Sequence, residues 1–106
     1  MSTLDDDFVQ FVFDQIGDRL GCSAKRMFGG IGLYAGGPMF GIVYDGALYL
    51  KVDDTTRGLF EERAMGPFRP REGQTLTSYY EVPADVLDDR GELSTWCERA
   101  LHAASE

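Results

Sequence analysis

The strongest constraint on the fold is the stretch 26–53, where apolar residues recur with period two between three glycine-rich breaks. The breaks fall at Gly29–Gly30, at Gly36–Gly37–Pro38 and at Asp45–Gly46. An Asp-Gly pair between alternating apolar residues is a strong signal for a tight two-residue hairpin turn. The stretch therefore predicts three antiparallel strands within residues 29–52, joined by short turns.

Three segments outside this stretch have the apolar spacing of helices. Apolar residues recur every three or four positions over residues 9–20 and again over residues 93–104, which predicts one buried helical face in each. A shorter helix is expected over roughly residues 56–64, with the polar residues 53–56 at its N-terminal cap.

Two further segments predict strands. Residues 75–82 are rich in β-branched and aromatic side chains, whereas two prolines restrict residues 66–70 to an edge strand or a loop. Residues 22–28 are expected to be a connector. Together these elements predict an α+β fold, a two-layer sandwich. An antiparallel sheet of about five strands (the meander 29–52 plus strands near 66–70 and 75–82) packs against N- and C-terminal helices and a short middle helix.

The composition fits a single domain, residues 1–106. Of the 106 residues, 43% are apolar and 26% charged, which is enough for one core, and no linker or repeat divides the chain. The acidic start, residues 1–7, lacks the basic and apolar regions of a secretion signal. No apolar run approaches the ~20 residues that cross a bilayer. We therefore expect a cytoplasmic protein without a membrane segment.

Charge is distributed unevenly along the chain, whose net charge is −8. Residues 19–71 hold eight basic and five acidic side chains, whereas both flanking segments are acidic. Because nucleic-acid affinity comes mainly from neutralising phosphates, this balance argues against direct nucleic-acid binding. We expect a protein partner or self-association instead.

Residue types that perform catalysis are sparse. Cys22 and Cys97 are far apart and form no CxxC pair, so we expect two buried free thiols, with a disulfide or redox pair as the alternative. His102 is the only histidine, and we expect it to be solvated near a frayed C-terminus. Zinc ligands at motif spacing and a nucleophile–base set are both missing. We predict no catalytic residue, metal site or cofactor, and hence a protein that is not an enzyme.

Five residues are our candidates for partner binding. Lys25, Arg26 and Met27 combine two bases with a large apolar side chain shortly before a Gly-Gly pair, which suits a docking loop. Arg69 and Arg71 belong to the same basic central part of the chain. The alternative is that these bases are simply solvated, as most exposed charges are.

The tyrosines allow two interpretations. Tyrosines on an exposed sheet face can stack nucleic-acid bases, but such platforms carry flanking bases, and Lys51 is the only one inside the predicted strands. Core packing and cross-strand pairing is the interpretation we favour. Tyr79 and Tyr80 are adjacent, so they point to opposite faces of their strand. At least one of those faces is therefore partly exposed or covered by another chain.

Several motifs closely resemble the N-terminal domain of the TfoX/Sxy family. They are RMFGG at 26–30, GLY at 32–34, MF at 39–40, LYLKVD at 48–53, PF at 67–68, YYEVP at 79–83, and the closing Leu93, Trp96 and Arg99–Leu101. The resemblance covers nearly the whole chain and implies an antiparallel sheet with helices packed on it. It also implies a role in regulating bacterial natural competence, together with the cyclic-AMP receptor protein at competence promoters, and supplies no catalytic residues.

The resemblance leaves two hypotheses for function. The first is a non-enzymatic regulatory and interaction domain that contacts the transcription machinery or its own kind. The alternative is a domain that binds a small ligand in a pocket between sheet and helices, lined by tyrosines and methionines. Full-length family members carry a second, helical domain; because this chain ends at Glu106 after an Ala-Ser tail, we expect a stand-alone protein of the N-terminal type.

Overall fold

A computed structural model describes residues 6–16, 21–27, 29–71 and 73–105, and within these ranges it contains four helices and six strands. The helices are α1 (Asp6–Ile16), α2 (Arg57–Glu61), α3 (Ala84–Leu87) and α4 (Arg90–Ala104). The strands are β1 (Ser23–Met27), β2 (Gly30–Tyr34), β3 (Met39–Tyr44), β4 (Ala47–Lys51), β5 (Pro67–Arg71) and β6 (Gln74–Glu81). Residues 17–20 of the first predicted helix lie outside the described ranges. None of the helices described is long and apolar enough to span a bilayer.

The six strands form one antiparallel sheet with the order β1-β2-β3-β4-β6-β5. Strands β2 to β4 are the predicted meander. Asp45 and Gly46 form the turn between β3 and β4, and their φ values of 50° and 76° are both left-handed, as a tight hairpin turn requires. The predicted α+β sandwich is confirmed.

The sheet has six strands rather than about five, because residues 23–27 form β1 and not a connector. Strand β1 pairs with β2 from Ser23 opposite Tyr34 to Met27 opposite Gly30. Its residues 23–26 are exposed. An edge strand can be held by backbone hydrogen bonds alone, so its side chains need not alternate between apolar and polar. Strand β1 was missed because the other strands were predicted from that alternation.

The two faces of the sheet are covered differently. Helix α4 packs across β3 and β4, and α1 and α3 pack against α4. The main core lies between this helical layer and the sheet, and it includes Val12, Leu33, Phe40, Leu48, Leu50, Tyr80, Leu93, Trp96 and Cys97. On the opposite face, which we call the helix-free face, Ile42, Phe68 and Tyr79 form a second, smaller cluster. Tyr79 and Tyr80 thus point to opposite faces, as predicted.

The hairpin of β5 and β6 bends over the helix-free face. The ring of Phe68, only 1% exposed, lies 5.3 Å from the ring of Tyr44 on β3 and 4.7 Å from that of Tyr49 on β4. Strand β5 is a neighbour of neither β3 nor β4 in the sheet, so this contact requires the hairpin to curl. The Tyr44 hydroxyl donates to the carbonyl oxygen of Pro70 at 3.0 Å and holds the curled edge in place.

Two aspartate side chains accept backbone hydrogen bonds at the starts of helices. One carboxylate oxygen of Asp53 accepts hydrogen bonds from the backbone N–H groups of Thr55 and Thr56, which turns the chain towards α2. The side chain of Asp89 accepts from the backbone N–H of Glu92 and caps α4. The residues predicted to cap the middle helix, 53–56, therefore form a turn that directly precedes α2.

Helix α2 is shorter than the predicted 56–64, because the chain becomes left-handed at Ala64, where φ is 62°. The N–H of Ala64 donates to the carbonyl of Glu61, and the N–H of Met65 donates to that of Phe60. These are the two hydrogen bonds of a Schellman cap, whose left-handed residue is usually glycine because a Cβ atom is strained there.

Both cysteines are free thiols, with Cys97 fully buried and Cys22 half-buried against the same core. Burial raises the pKa of Cys97 to about 12 and that of Cys22 to about 11. A thiol must ionise to act as a nucleophile, so both are poor nucleophiles at neutral pH. The predicted burial is confirmed for Cys97 and holds in part for Cys22.

The raised thiol pKa values predict slow reaction of the folded protein with a disulfide reagent. At pH 8, Cys97 in a Cys22→Ser variant should react at least ~100-fold more slowly in buffer than in denaturant, because burial suppresses the thiolate. Above pH 9 the unfolded thiols ionise and the folded ones do not. The free energy of unfolding should therefore fall as the pH rises in this range. Equal rates in buffer and in denaturant would contradict the prediction.

Replacing Ala64 with glycine should stabilise the protein. We expect Ala64→Gly to raise the free energy of unfolding by about 1 kcal/mol, because glycine adopts positive φ without strain. For a domain of this size that gain corresponds to a rise in Tm of roughly 4–8 °C, measured by circular dichroism.

Ala84→Gly is the matched control, since Ala84 is also exposed but has helical geometry in α3. Glycine there should lower the free energy of unfolding by up to about 1 kcal/mol. A lower Tm for Ala64→Gly would show that the cap does not strain the alanine.

Candidate interaction surface

The helix-free face of the sheet exposes apolar side chains around its buried cluster. Half-buried residues that pack against the cluster are Met39, Tyr44, Tyr49 and Leu76. Successive residues of a strand point to opposite faces of the sheet. Strands β3 and β4 have apolar residues on both faces, so some of them lie on the helix-free face. Contiguous apolar surface of this kind is often a site of protein contact.

Two lysines lie on this face, and they are the only lysines in the chain. The Lys25 ammonium is 5.7 Å from the ring centre of Tyr34, and the Lys51 ammonium is 5.4 Å from that of Tyr79. Such cation–π contacts contribute about 0.5–1 kcal/mol at exposed sites. Within the part of the chain that the structure describes, neither ammonium forms an ion pair with a carboxylate.

The tyrosine rings of this face contact other side chains of the protein. Tyr44 and Tyr49 pack against Phe68, while Tyr34 and Tyr79 carry the lysines. Burial raises the pKa of Tyr79 and that of Tyr49, so both phenols remain protonated at neutral pH. These contacts favour the packing interpretation of the tyrosines over a platform for nucleic-acid bases.

The five sequence-predicted partner residues do not come together. Lys25 and Arg26 lie on β1 at one edge of the sheet, whereas Arg69 lies on β5 at the opposite edge. Lys25 reaches the helix-free face, so Arg26, the next residue of the strand, points to the other face. Met27 and Arg71 end β1 and β5, and their side chains are outside the part that the structure describes.

Most residues of this face were absent from the predicted set, among them Tyr34, Met39 and Lys51. Lys51 follows Tyr49 by two positions on β4, so period-two alternation alone could have placed both on one face. The approach of Lys51 to Tyr79 depends on β6 returning beside β4. No local pattern indicates that pairing.

A cleft of about 430 Å³ opens on the helical side, between the β4–α2 connection and α4. Its lining includes Asp53, Thr55, Leu59, Glu98, Arg99 and His102. His102 is exposed, as expected, but it belongs to α4 and not to a frayed end. The lining is charged and hydroxylated, in contrast to the tyrosines and methionines expected of a ligand pocket.

The polar residues of this cleft do not converge on one point as catalytic groups would. Asp53 is committed to its entry turn, where it also accepts a hydrogen bond from the Thr56 hydroxyl at 3.1 Å. Across the described ranges, no three His, Cys, Asp or Glu side chains converge as metal ligands would. The cleft has the size of a small-molecule site but holds charges of both signs.

Comparison with known proteins gives matches over most of the chain. The TfoX N-terminal domain family matches residues 14–104. DNA transformation protein TfoX1 of Aliivibrio fischeri is 35% identical over 85 residues, which are 77% of this chain but 38% of that protein. An uncharacterised 12.7 kDa protein from the trpE 5′ region of Spirochaeta aurantia is 37% identical over 85 residues, 80% of this chain and 70% of that protein.

Proposed function

Because the chain belongs to the TfoX N-terminal domain family, we propose that it is a non-enzymatic regulatory domain that acts through contacts with other proteins. The relative from Aliivibrio fischeri is named a DNA transformation protein. For this chain we propose a role in the regulation of natural competence, as its family resemblance implies. Its partner would be a cytoplasmic protein of the transcription machinery. Self-association through the same surface is the other form of this proposal.

The observation that carries the proposal is the helix-free face of the sheet. It combines half-buried apolar residues such as Met39 and Tyr49 with the ammonium groups of Lys25 and Lys51. Protein interfaces typically have an apolar centre rich in aromatic residues and methionine, surrounded by a polar rim. The face has both parts and sits on a rigid sheet, which lowers the entropic cost of binding.

The chemistry of the described residues supports a non-enzymatic role. Both thiols have raised pKa values, so neither is an activated nucleophile, and the single histidine is an exposed residue of α4. A nucleophile activated by a base is the usual minimum for covalent catalysis.

The interaction role predicts that a change confined to the helix-free face weakens partner capture. Met39→Gln should weaken capture of purified RNA polymerase or cyclic-AMP receptor protein by about tenfold, because about 1.4 kcal/mol of apolar burial would be lost. Capture is measured by pull-down with the tagged chain, and sedimentation of the chain alone measures self-association.

Leu59→Gln is the matched control, because Leu59 is also a half-buried apolar residue but lines the cleft on the helical side. It should leave capture unchanged. If neither transcription protein is captured and the chain stays monomeric, the interaction role is wrong.

A second candidate function is the binding of a small polar ligand, and the cleft favours it. Its volume of about 430 Å³ lies within the range of roughly 300–1,000 Å³ of small-molecule sites. Arg99 could pair with an anionic group and Glu98 with a cationic one, so the ligand would be charged.

This second function predicts thermal stabilisation by a charged metabolite. A ligand present at ten times its Kd adds about 1.4 kcal/mol to the free energy of unfolding, which should raise Tm by at least ~5 °C. Leu59→Gln should reduce that rise and Met39→Gln should not. If no metabolite in a screen at millimolar concentration raises Tm, the ligand-binding function is wrong.

A further inference from the structure

The two lysines are spaced across the helix-free face in a defined way. Lys25 is on β1 and Lys51 is on β4, which are separated by three inter-strand steps in the sheet. Lys25 is in register with Tyr49, so Lys51 is also shifted by two residues, about 7 Å, along the strand. With three steps of about 4.8 Å across the sheet, the two backbones lie roughly 16 Å apart. The eight remaining basic residues of the chain are arginines, so this face holds every lysine of the protein.

Each lysine ammonium contacts an aromatic ring but forms no ion pair with a described carboxylate. The ring of Tyr34 lies under Lys25 and the ring of Tyr79 under Lys51, and Lys51 is half-buried. An aromatic ring accepts the cation on one side but leaves its N–H donors directed outwards. Among the described residues no carboxylate pairs with either lysine. The N–H groups of both ammonium groups can therefore donate to an acceptor on another molecule.

Apolar surface lies between the two cations. Tyr34 on β2 and Met39 on β3 are directly opposite each other in the sheet, and both are half-buried. Next to them, Gly36 and Gly37 form the exposed loop, and nothing lies within 4 Å of where their Cβ atoms would be. A second chain can therefore approach the Tyr34–Met39 pair closely, with a cation on either side.

An extended peptide presents alternate side chains on one face over a length close to the separation of the two lysines. Residues i, i+2 and i+4 of a β-strand share one face, and i and i+4 are about 13 Å apart. We propose that Lys25 and Lys51 form a paired anchor for an extended acidic segment with the pattern acid–x–apolar–x–acid, whose apolar side chain sits on Tyr34 and Met39. This inference rests on the proposed function as a protein-interaction domain, and it names the chemistry of the partner.

A protein segment fits this site better than a nucleic acid does. Two cations within a chain of net charge −8 can neutralise few phosphates, whereas they match two carboxylates. The rings that would stack bases are the rings that carry the lysines. Sequence-independent stacking needs ring faces that are available to the bases.

The test is a titration of the ¹⁵N-labelled protein with the blocked peptide Gly-Glu-Ser-Leu-Ser-Glu-Gly, followed by NMR shifts at low ionic strength. We expect shifts at Tyr34, Met39 and Lys51. Lys25→Gln/Lys51→Gln should weaken binding about tenfold, since two partly exposed ion pairs are lost, and Lys25→Arg/Lys51→Arg should retain it. Arg90→Gln, which removes one charge at the exposed start of α4, should leave binding unchanged.

A peptide of the same composition, Gly-Ser-Glu-Glu-Leu-Ser-Gly, is the control for spacing, because its adjacent glutamates point to opposite faces. Equal binding of the two peptides, or unchanged binding by the double glutamine variant with its Tm preserved, overturns the inference. Tighter binding of a single-stranded oligonucleotide than of the first peptide also overturns it.

The outcome separates this inference from the proposed function. If a transcription protein is captured equally well by the double glutamine variant, the lysine anchor is wrong and the interaction role stands. If the peptide binds in a lysine-dependent way but no transcription protein is captured, the anchor stands and the proposed partner is wrong.

Discussion

The central strands are apolar on both sides of the sheet, whereas helices cover only one side, and the rest of the structure depends on this imbalance. Apolar surface left in water costs about 25 cal/mol per Å². The hairpin of β5 and β6 therefore curls until Phe68 is buried against Tyr44 and Tyr49. The ammonium groups of Lys25 and Lys51 lie over two further rings of the face, those of Tyr34 and Tyr79. The remaining half-exposed residues are the surface available to a partner.

Elements with a strong local pattern could be predicted from the sequence, and elements set by pairing could not. The Asp45–Gly46 turn, α4 and the opposite orientations of Tyr79 and Tyr80 follow from spacing within a few residues. Strand β1 has no such pattern, because its side chains are exposed and only its backbone is held. The contact of Phe68 with two strands that are not its neighbours depends on how the whole sheet curls.

The motifs that relate the chain to its family mostly specify the fold. In RMFGG, a Cβ atom at Gly30 would lie 2.6 Å from the carbonyl oxygen of Val43, so no other residue fits without a shift of the backbone. In LYLKVD, Leu48 and Leu50 are core residues and Asp53 forms the entry turn of α2. Tyr49 and Lys51 are the residues of that motif that reach the helix-free face. The resemblance could thus identify the family and its sheet, but not the surface that we propose for contact with a partner.

The confinement of the lysines to one face has a practical consequence for handling the protein. Apart from the terminal α-amino group, its only primary amines are on the helix-free face. Coupling to a sensor chip or resin through the lysine side chains attaches the domain by this face and presents the helical layer to solution. Attachment through a terminal tag keeps the sheet accessible, so a comparison of the two orientations reports which layer a given binder recognises.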